Sequence, residues 1–228
     1  MSVFSHLRRI WWRLPAGLRA FGPLARLKSQ VKSGMATHDD IYTPAYYMER
    51  RQGARQSARI IAQSLVETFH PRDVLDVGSG TGDLVQALLA LGVNASGLEY
   101  SDAALAICRR ENIPVQKFDL EKDQLPSDVR AEIITSAEVA EHLPASCADR
   151  YVDLLARATR GVVFTAAIPG QGGTDHVNEQ PHAYWIEKFN ARGFELDLVT
   201  TTHWRDDWQR QGILDHYHKN LMIFRRRI

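Results

Sequence analysis

Short apolar runs alternate along this chain with stretches whose apolar positions recur every three or four residues, the rhythm of strands followed by helices. A helix starts at Thr43-Pro44, carries the stripe Ala58, Ile61, Ala62, Leu65, Val66 and Phe69, and stops at His70-Pro71. Val74 to Val77 is an apolar strand, and Leu84, Val85, Leu88 and Leu89 mark the helix behind it. Residues 95–100 read as a second strand, after which Ser101 caps a helix burying Ala104, Leu105, Ile107 and Cys108. Residues 114–118 and 131–136 supply the third and fourth strands. Tyr151, Leu154, Leu155 and Ala158 make a helix before a fifth strand at 161–168, apolar throughout as a central parallel strand should be. Residues 169–181 break all periodicity. Pro181 opens a helix reaching Phe189, capped by Gly193. Residues 195–200 alternate as a strand, 204–215 form an amphipathic connection, and 220–225 are the last strand. Helices alternating with strands predict a doubly wound α/β domain on a mostly parallel sheet.

The start of the chain differs. Val3, Phe4, Leu7, Ile10, Trp11 and Leu14 share one side of a helix that Pro15 and Gly17 interrupt, and a looser apolar pattern runs on to Val31. Residues 1–38 hold seven Lys and Arg and no acid, although the whole chain of 228 residues carries a net charge of only +1. Residues 1–40 are therefore expected to be a basic amphipathic extension, with the main domain at 41–228. Four readings of residues 3–31 stay open: peripheral contact with an anionic membrane, a helix packed on the domain, a partly disordered leader, or an organelle transit segment. The near-neutral total makes no case for DNA as a partner. Cys108 and Cys147 lack metal-ligand spacing and read as reduced thiols of a cytoplasmic protein. Oligomeric state is not legible.

Chemistry concentrates around Val74-Leu-Asp-Val-Gly-Ser-Gly-Thr-Gly-Asp83. Gly78, Gly80 and Gly82 turn the chain from strand to helix and leave no Cβ to hold a ligand off, with Ser79 between them. A dinucleotide fingerprint would place its third glycine at 83, where this chain has Asp83. Asp76 inside the strand end would repel phosphate and suits a ligand carrying positive charge. Glu99, followed by Tyr100, ends the second strand, where a carboxylate can accept both hydroxyls of a ribose.

This set resembles the class I S-adenosylmethionine (SAM)-dependent methyltransferases from about Tyr42 to the C-terminus. The resemblance implies a Rossmann-like sheet of seven strands with the last antiparallel. It implies that the turn packs on the methionine and ribose of SAM and that Glu99 binds the ribose. It further implies that Asp119 holds the adenine amino group while the backbone N–H of Leu120 faces adenine. Tyr46 and Tyr47 would belong to a lid, or pack as plain aromatics, and Tyr184 and Trp185 would face substrate or core. Glu138-x-x-Glu141-His142 resembles a motif of ubiquinone-pathway O-methyltransferases and small-RNA 3′-end methyltransferases. There both acids, the His and a later His, here His176, hold Mg²⁺ or another divalent ion. In the other reading Glu138 touches the cofactor edge and Glu141 and His142 brace the loop. His176 is the first candidate for a general base and His142 the second. The expected function is methyl transfer from SAM to a small-molecule acceptor, at a hydroxyl oxygen. An N- or RNA methyltransferase of the same fold and a non-catalytic SAM-binding protein are the alternatives.

Overall fold

A computed structural model describes residues 42–125 and 129–227. The basic extension expected over residues 1–40, and with it membrane contact through residues 3–31, lies outside them. Among the described residues no helix is long and apolar enough to cross a membrane.

Seven strands form one sheet: β1 (Asp73–Val77), β2 (Asn94–Glu99), β3 (Val115–Lys117), β4 (Ala131–Ala137), β5 (Ala158–Thr165), β6 (Phe194–Leu196) and β7 (Met222–Arg226). Their order is β3-β2-β1-β4-β5-β7-β6. β1 lies parallel to β2 and β4, β4 is parallel to β5, and β7 runs antiparallel to β5 and β6. The expected architecture, with an antiparallel last strand, is the one observed. The strand order turns back between β1 and β4, so their carboxyl ends flank a crevice where doubly wound sheets take ligands.

The helices are α1 (Pro44–Phe69), α2 (Asp83–Ala90), α3 (Asp102–Arg110), α4 (Ala148–Leu155), α5 (His182–Asn190), α6 (Leu198–Arg210) and α7 (Asp215–Asn220). Successive residues of a strand point to opposite faces. Val74, Ile133, Val163 and Ile223 accordingly pack with the α1 stripe, α2 and the α6 tryptophans, while Leu75, Ile134, Val162 and Phe224 pack with α4 and α5. Both faces are covered, which is why the central strands carry apolar residues toward both sides. Phe189 and Phe224 stack with centroids 4.1 Å apart. A Cβ on Gly161 would come within 2.8 Å of the Phe224 carbonyl oxygen, so β5 needs a glycine where it passes β7.

Two expectations fail near the C-terminus. Residues 195–200 are not one strand: β6 stops at Leu196, and Asp197 caps α6 by accepting the Thr200 N–H at 3.0 Å. Leu198 and Val199, the apolar positions of the apparent alternation, are 64% and 82% exposed. The stretch 204–215 is likewise no connection. Its first part completes α6, and Trp204 and Trp208 seat that helix on α1 by donating to Thr68 Oγ1 at 3.1 Å and Ser64 Oγ at 2.9 Å. At the start of α5, Pro181 occupies the cap position. Asp197 also receives Arg225 Nε at 2.6 Å. Replacing Asp197 with Ala should cost about 1–2 kcal/mol in urea unfolding, and Asp197→Asn should recover most of it, because an amide oxygen still caps the helix.

Candidate functional site

β1 delivers the chain into the glycine turn. The N–H groups of Gly78 and Ser79 donate to the Leu98 carbonyl at 2.8 and 3.0 Å, and Ser79 Oγ donates to the Asp76 carbonyl at 2.7 Å. The three glycines do not serve one purpose. A Cβ on Gly78 would lie 2.3 Å from Val139 Cγ2, and one on Gly82 would lie 2.8 Å from Ile113 Cγ2. Those two make room for protein, which corrects the expectation that all three make room for a ligand. At Gly80 (φ +53°) the nearest atom is a ring carbon of Tyr47, 3.9 Å away. A fourth glycine escaped the sequence reading: a Cβ on Gly97 would strike Ser79 Oγ at 2.1 Å, so β2 must be bare where the turn nests against it. Its only signal was a glycine inside a strand.

Glu99 is buried yet fully hydrogen-bonded. It accepts the N–H of Gly80 at 2.7 Å on one oxygen, and those of Tyr100 at 2.9 Å and Ser101 at 2.7 Å on the other. Burial pushes its carboxyl up and the three amides hold it back. Tyr100 is half-buried beside Lys117. Asp76 is buried one strand over, opposite Thr135 of β4, whose hydroxyl donates to it at 2.6 Å. Asp83, which follows the turn, is spent on protein. It takes Arg51 Nε at 3.3 Å, Arg55 Nε at 3.0 Å and the Thr81 hydroxyl at 2.6 Å. Asp119 folds back on its own turn, accepting the N–H groups of Glu121 and Lys122 at 2.9 and 3.2 Å, and Leu120 packs on the core.

A second group lies past the end of β4. Glu141, His142 and His176 each offer a ligand atom, all within 4.8 Å of one another. The loop after β5 is tied there by backbone: the Glu141 carbonyl accepts the N–H of Val177 at 2.8 Å and of Asn178 at 3.0 Å. The imidazole rings meet nearly at right angles with centroids 5.0 Å apart. Nδ1 of His142 is engaged by the Tyr42 hydroxyl at 3.1 Å and the Asp175 carbonyl at 3.2 Å, and Nδ1 of His176 by Glu179 at 2.9 Å. Nε2 is therefore the nitrogen each ring has left to offer. Glu141 is fully buried, and neither carboxylate oxygen has a hydrogen-bond partner among the described residues. Burial, with repulsion from Glu138 next, pushes its carboxyl up to about 9. Burial and the neighbouring His176 pull His142 below the usual imidazole range.

Glu138, expected as a fourth member, stands outside this group. Positions three and four residues apart would share one face of a regular helix. Instead the motif forms a short 3₁₀ turn at Ala140–His142, with Glu138 ahead of it at φ +55°. The Glu138 carboxylate accepts Asn220 Nδ2 at 3.0 Å and Gln171 Nε2 at 3.3 Å. Tyr184 is half-buried and Trp185 fully so, which makes Trp185 a core residue. Tyr42, Glu179 and Asn220 were missed. The first two sit close in sequence to residues that were singled out, but Asn220 carries no local mark.

Burial raises the Asp76 carboxyl from 3.8 to about 6. The protonated form is thus favoured in the folded chain, and stability falls as pH rises through that interval. Asp76→Asn should melt a few degrees above the wild type at about pH 7.5 and level with it at about pH 4, read by thermal denaturation across pH.

A family model for a methyltransferase domain matches residues 47–212. A ubiquinone biosynthesis O-methyltransferase of Paramagnetospirillum magneticum is 31% identical over 86 residues, 36% of this chain and 34% of that protein. One from Pseudomonas aeruginosa (strain UCBPP-PA14) is 26% identical over 138 residues, 58% of this chain and 56% of that protein. The matches thus span between a third and somewhat over half of these relatives' lengths. Among solved structures, magnesium protoporphyrin IX methyltransferase from Synechocystis PCC 6803 with bound S-adenosylhomocysteine (SAH) is similar at TM-score 0.57. It is 18% identical, with 78% of this chain and 85% of that one covered. The sugar N-methyltransferase of Streptoalloteichus sp ATCC 53650 is similar at TM-score 0.59 and 16% identity, with 80% and 92% covered. At these identities the structural likeness is one of fold. The family match takes in the glycine turn, Glu99, the Glu141-His142 turn and the loop of His176 in a single span of well over half the sequence, and the chain belongs to the methyltransferase domain family.

Proposed function

We propose that this protein transfers the methyl group of SAM to a hydroxyl oxygen of a small-molecule acceptor, beside a divalent ion held by Glu141, His142 and His176. The cofactor half of this reading is supported by the acids on either side of Gly80. Asp76 and Glu99 give the crevice negative charge, which suits a sulfonium nucleoside and disfavours a pyrophosphate. The names of the O-methyltransferase relatives support oxygen as the acceptor atom.

The metal half is carried by one observation: Glu141 is a fully buried carboxyl with no hydrogen-bond partner for either oxygen among the described residues. Such a group stays protonated, or is completed by a cation. Two imidazole nitrogens and one carboxylate suit a borderline ion such as Mn²⁺ or Zn²⁺ better than the Mg²⁺ first expected, because Mg²⁺ prefers oxygen-rich sites. When bound, such an ion lowers the pKa of a hydroxyl and orients it. In the transfer the carbon–sulfur bond breaks as the oxygen–carbon bond forms, and the hydroxyl proton leaves. With both Nε2 atoms occupied as ligands, Glu138 is the carboxylate placed to receive that proton. The Asp175 carbonyl and Glu179 accept from Nδ1 of the two rings and so hold them in the tautomer that presents Nε2. Without an ion, His176 Nε2 would be the base instead.

Titration of the stripped protein with Mn²⁺, followed by electron paramagnetic resonance, should show one bound ion per chain, lost in Glu141→Gln. Absence of binding, with Zn²⁺ also failing to compete, would return the proton step to His176. Incubation with methyl-labelled SAM and a small-molecule extract should place the label in an ether product. A wild-type chain that does not bind SAH would end the methyltransferase reading.

A further inference from the structure

The first half of α1 is held in an unusual way. From Pro44 to Ser57 its only buried side chains are Arg51 and Ser57, and the helix joins the apolar core only from Ala58 onward. Yet its first turn carries Tyr46 and Tyr47, and a Cβ placed on Gly80 would meet a ring carbon of Tyr47 at 3.9 Å. Tyr47 also faces Glu99 and Ser101 electrostatically, so its ring roofs the part of the crevice between the glycine turn and the end of β2. Ring contacts among Tyr42, Tyr46 and Tyr47 pack that end, apart from the main apolar core.

Arg51 sits one helical turn after Tyr47 and is 7% exposed. Its guanidinium donates to both oxygens of Glu111, at 2.5 and 2.6 Å, and through Nε to Asp83 at 3.3 Å. Arg55, a further turn on, bonds the same two acids, each at 3.0 Å. Asp83 is the first residue of α2, directly after Gly82, and its other oxygen takes the Thr81 hydroxyl of the glycine turn. Glu111 caps the far end of α3. Two arginines and two acids thus tie α1 to the glycine turn and to the helix after β2. Bidentate arginine–carboxylate geometry fixes direction as well as distance.

We propose that Arg51, Asp83 and Glu111, with Arg55, are positioning residues for cofactor binding: they clamp the first turn of α1 so that Tyr47 covers Gly80 and Glu99. This rests on the reading of the glycine turn as the SAM site. The clamp acts at a distance from the ligand, through Tyr47. An isolated surface pair would contribute little, but this one has a buried guanidinium and shared acceptors, and breaking it leaves charge without a partner.

The test is calorimetric titration with SAH of the full chain and its variants, with circular dichroism to check the fold. Glu111→Gln and Arg51→Lys should each weaken SAH about tenfold, and in a Tyr47→Ala background Glu111→Gln should add less than about twofold, because the clamp then has nothing to position. A purely structural role predicts that the losses add. The inference is overturned if folded Glu111→Gln and Arg51→Lys bind SAH within about twofold of wild type, or if the Glu111 and Tyr47 effects add in full. Wild type that binds no SAH would instead overturn the cofactor reading beneath it, a distinguishable result.

Discussion

A carboxylate removed from water must be met by hydrogen bonds, by a proton or by a cation. Three buried acids line one edge of this sheet, and the protein meets each differently. Glu99 receives three backbone amides. Asp76 receives one hydroxyl and has its carboxyl shifted up to about 6. Glu141 receives nothing among the described residues and is shifted further, to about 9. The series runs from a group the fold has finished to one it has left open. An acid kept open in a fully packed interior is destabilising by several kcal/mol when ionised. That cost makes sense where a positive ligand completes the site.

The sheet produces this edge directly. β1 and β4 are neighbours whose connections leave in opposite directions, so their carboxyl ends flank a crevice. The parallel register sets Asp76 opposite Thr135, and the hydroxyl that steadies Asp76 follows from that pairing. Gly97 lets the turn close against β2, bringing the Gly80 amide to Glu99. Further along, the Glu141 carbonyl draws in the loop after β5, and His176 arrives beside His142. Each step is a backbone consequence of strand order, and the side chains then use the geometry it fixes.

What could be read from sequence was local. The glycine turn, the Ser101 cap and the α1 stripe depend on residues within a few positions, and each was legible. Glu141, His142 and His176 were singled out through a motif resemblance, and the structure brings the three together. Partners distant in sequence were not legible. Nothing near Asp83 announces Arg51, and nothing near Glu138 announces Asn220. α6 failed for a different reason: Leu196, Leu198 and Val199 mimic a strand, while Asp197 and Thr200 form a cap whose hydrogen bond competes with extended backbone. The cap won because Trp204 and Trp208 bury on α1 only if the segment is helical.

The separation of Glu138 from Glu141 carries the same logic to the centre of the site. On a regular helix the two carboxylates would stand one turn apart on one face; across the 3₁₀ turn they still repel, and Glu138 adds to the upward shift of Glu141. A left-handed residue that is not glycine costs roughly 1–3 kcal/mol, and Glu138 adopts that conformation. Its N–H is held by both the carbonyl and the hydroxyl of Thr165, and its carboxylate by Asn220 and Gln171. Those bonds over-determine the strained backbone. The result is one acid held by Asn220 and Gln171 and another buried beside two imidazoles, its oxygens without a hydrogen-bond partner among the described residues. Strain at a single residue thus gives two acids that still repel each other different surroundings.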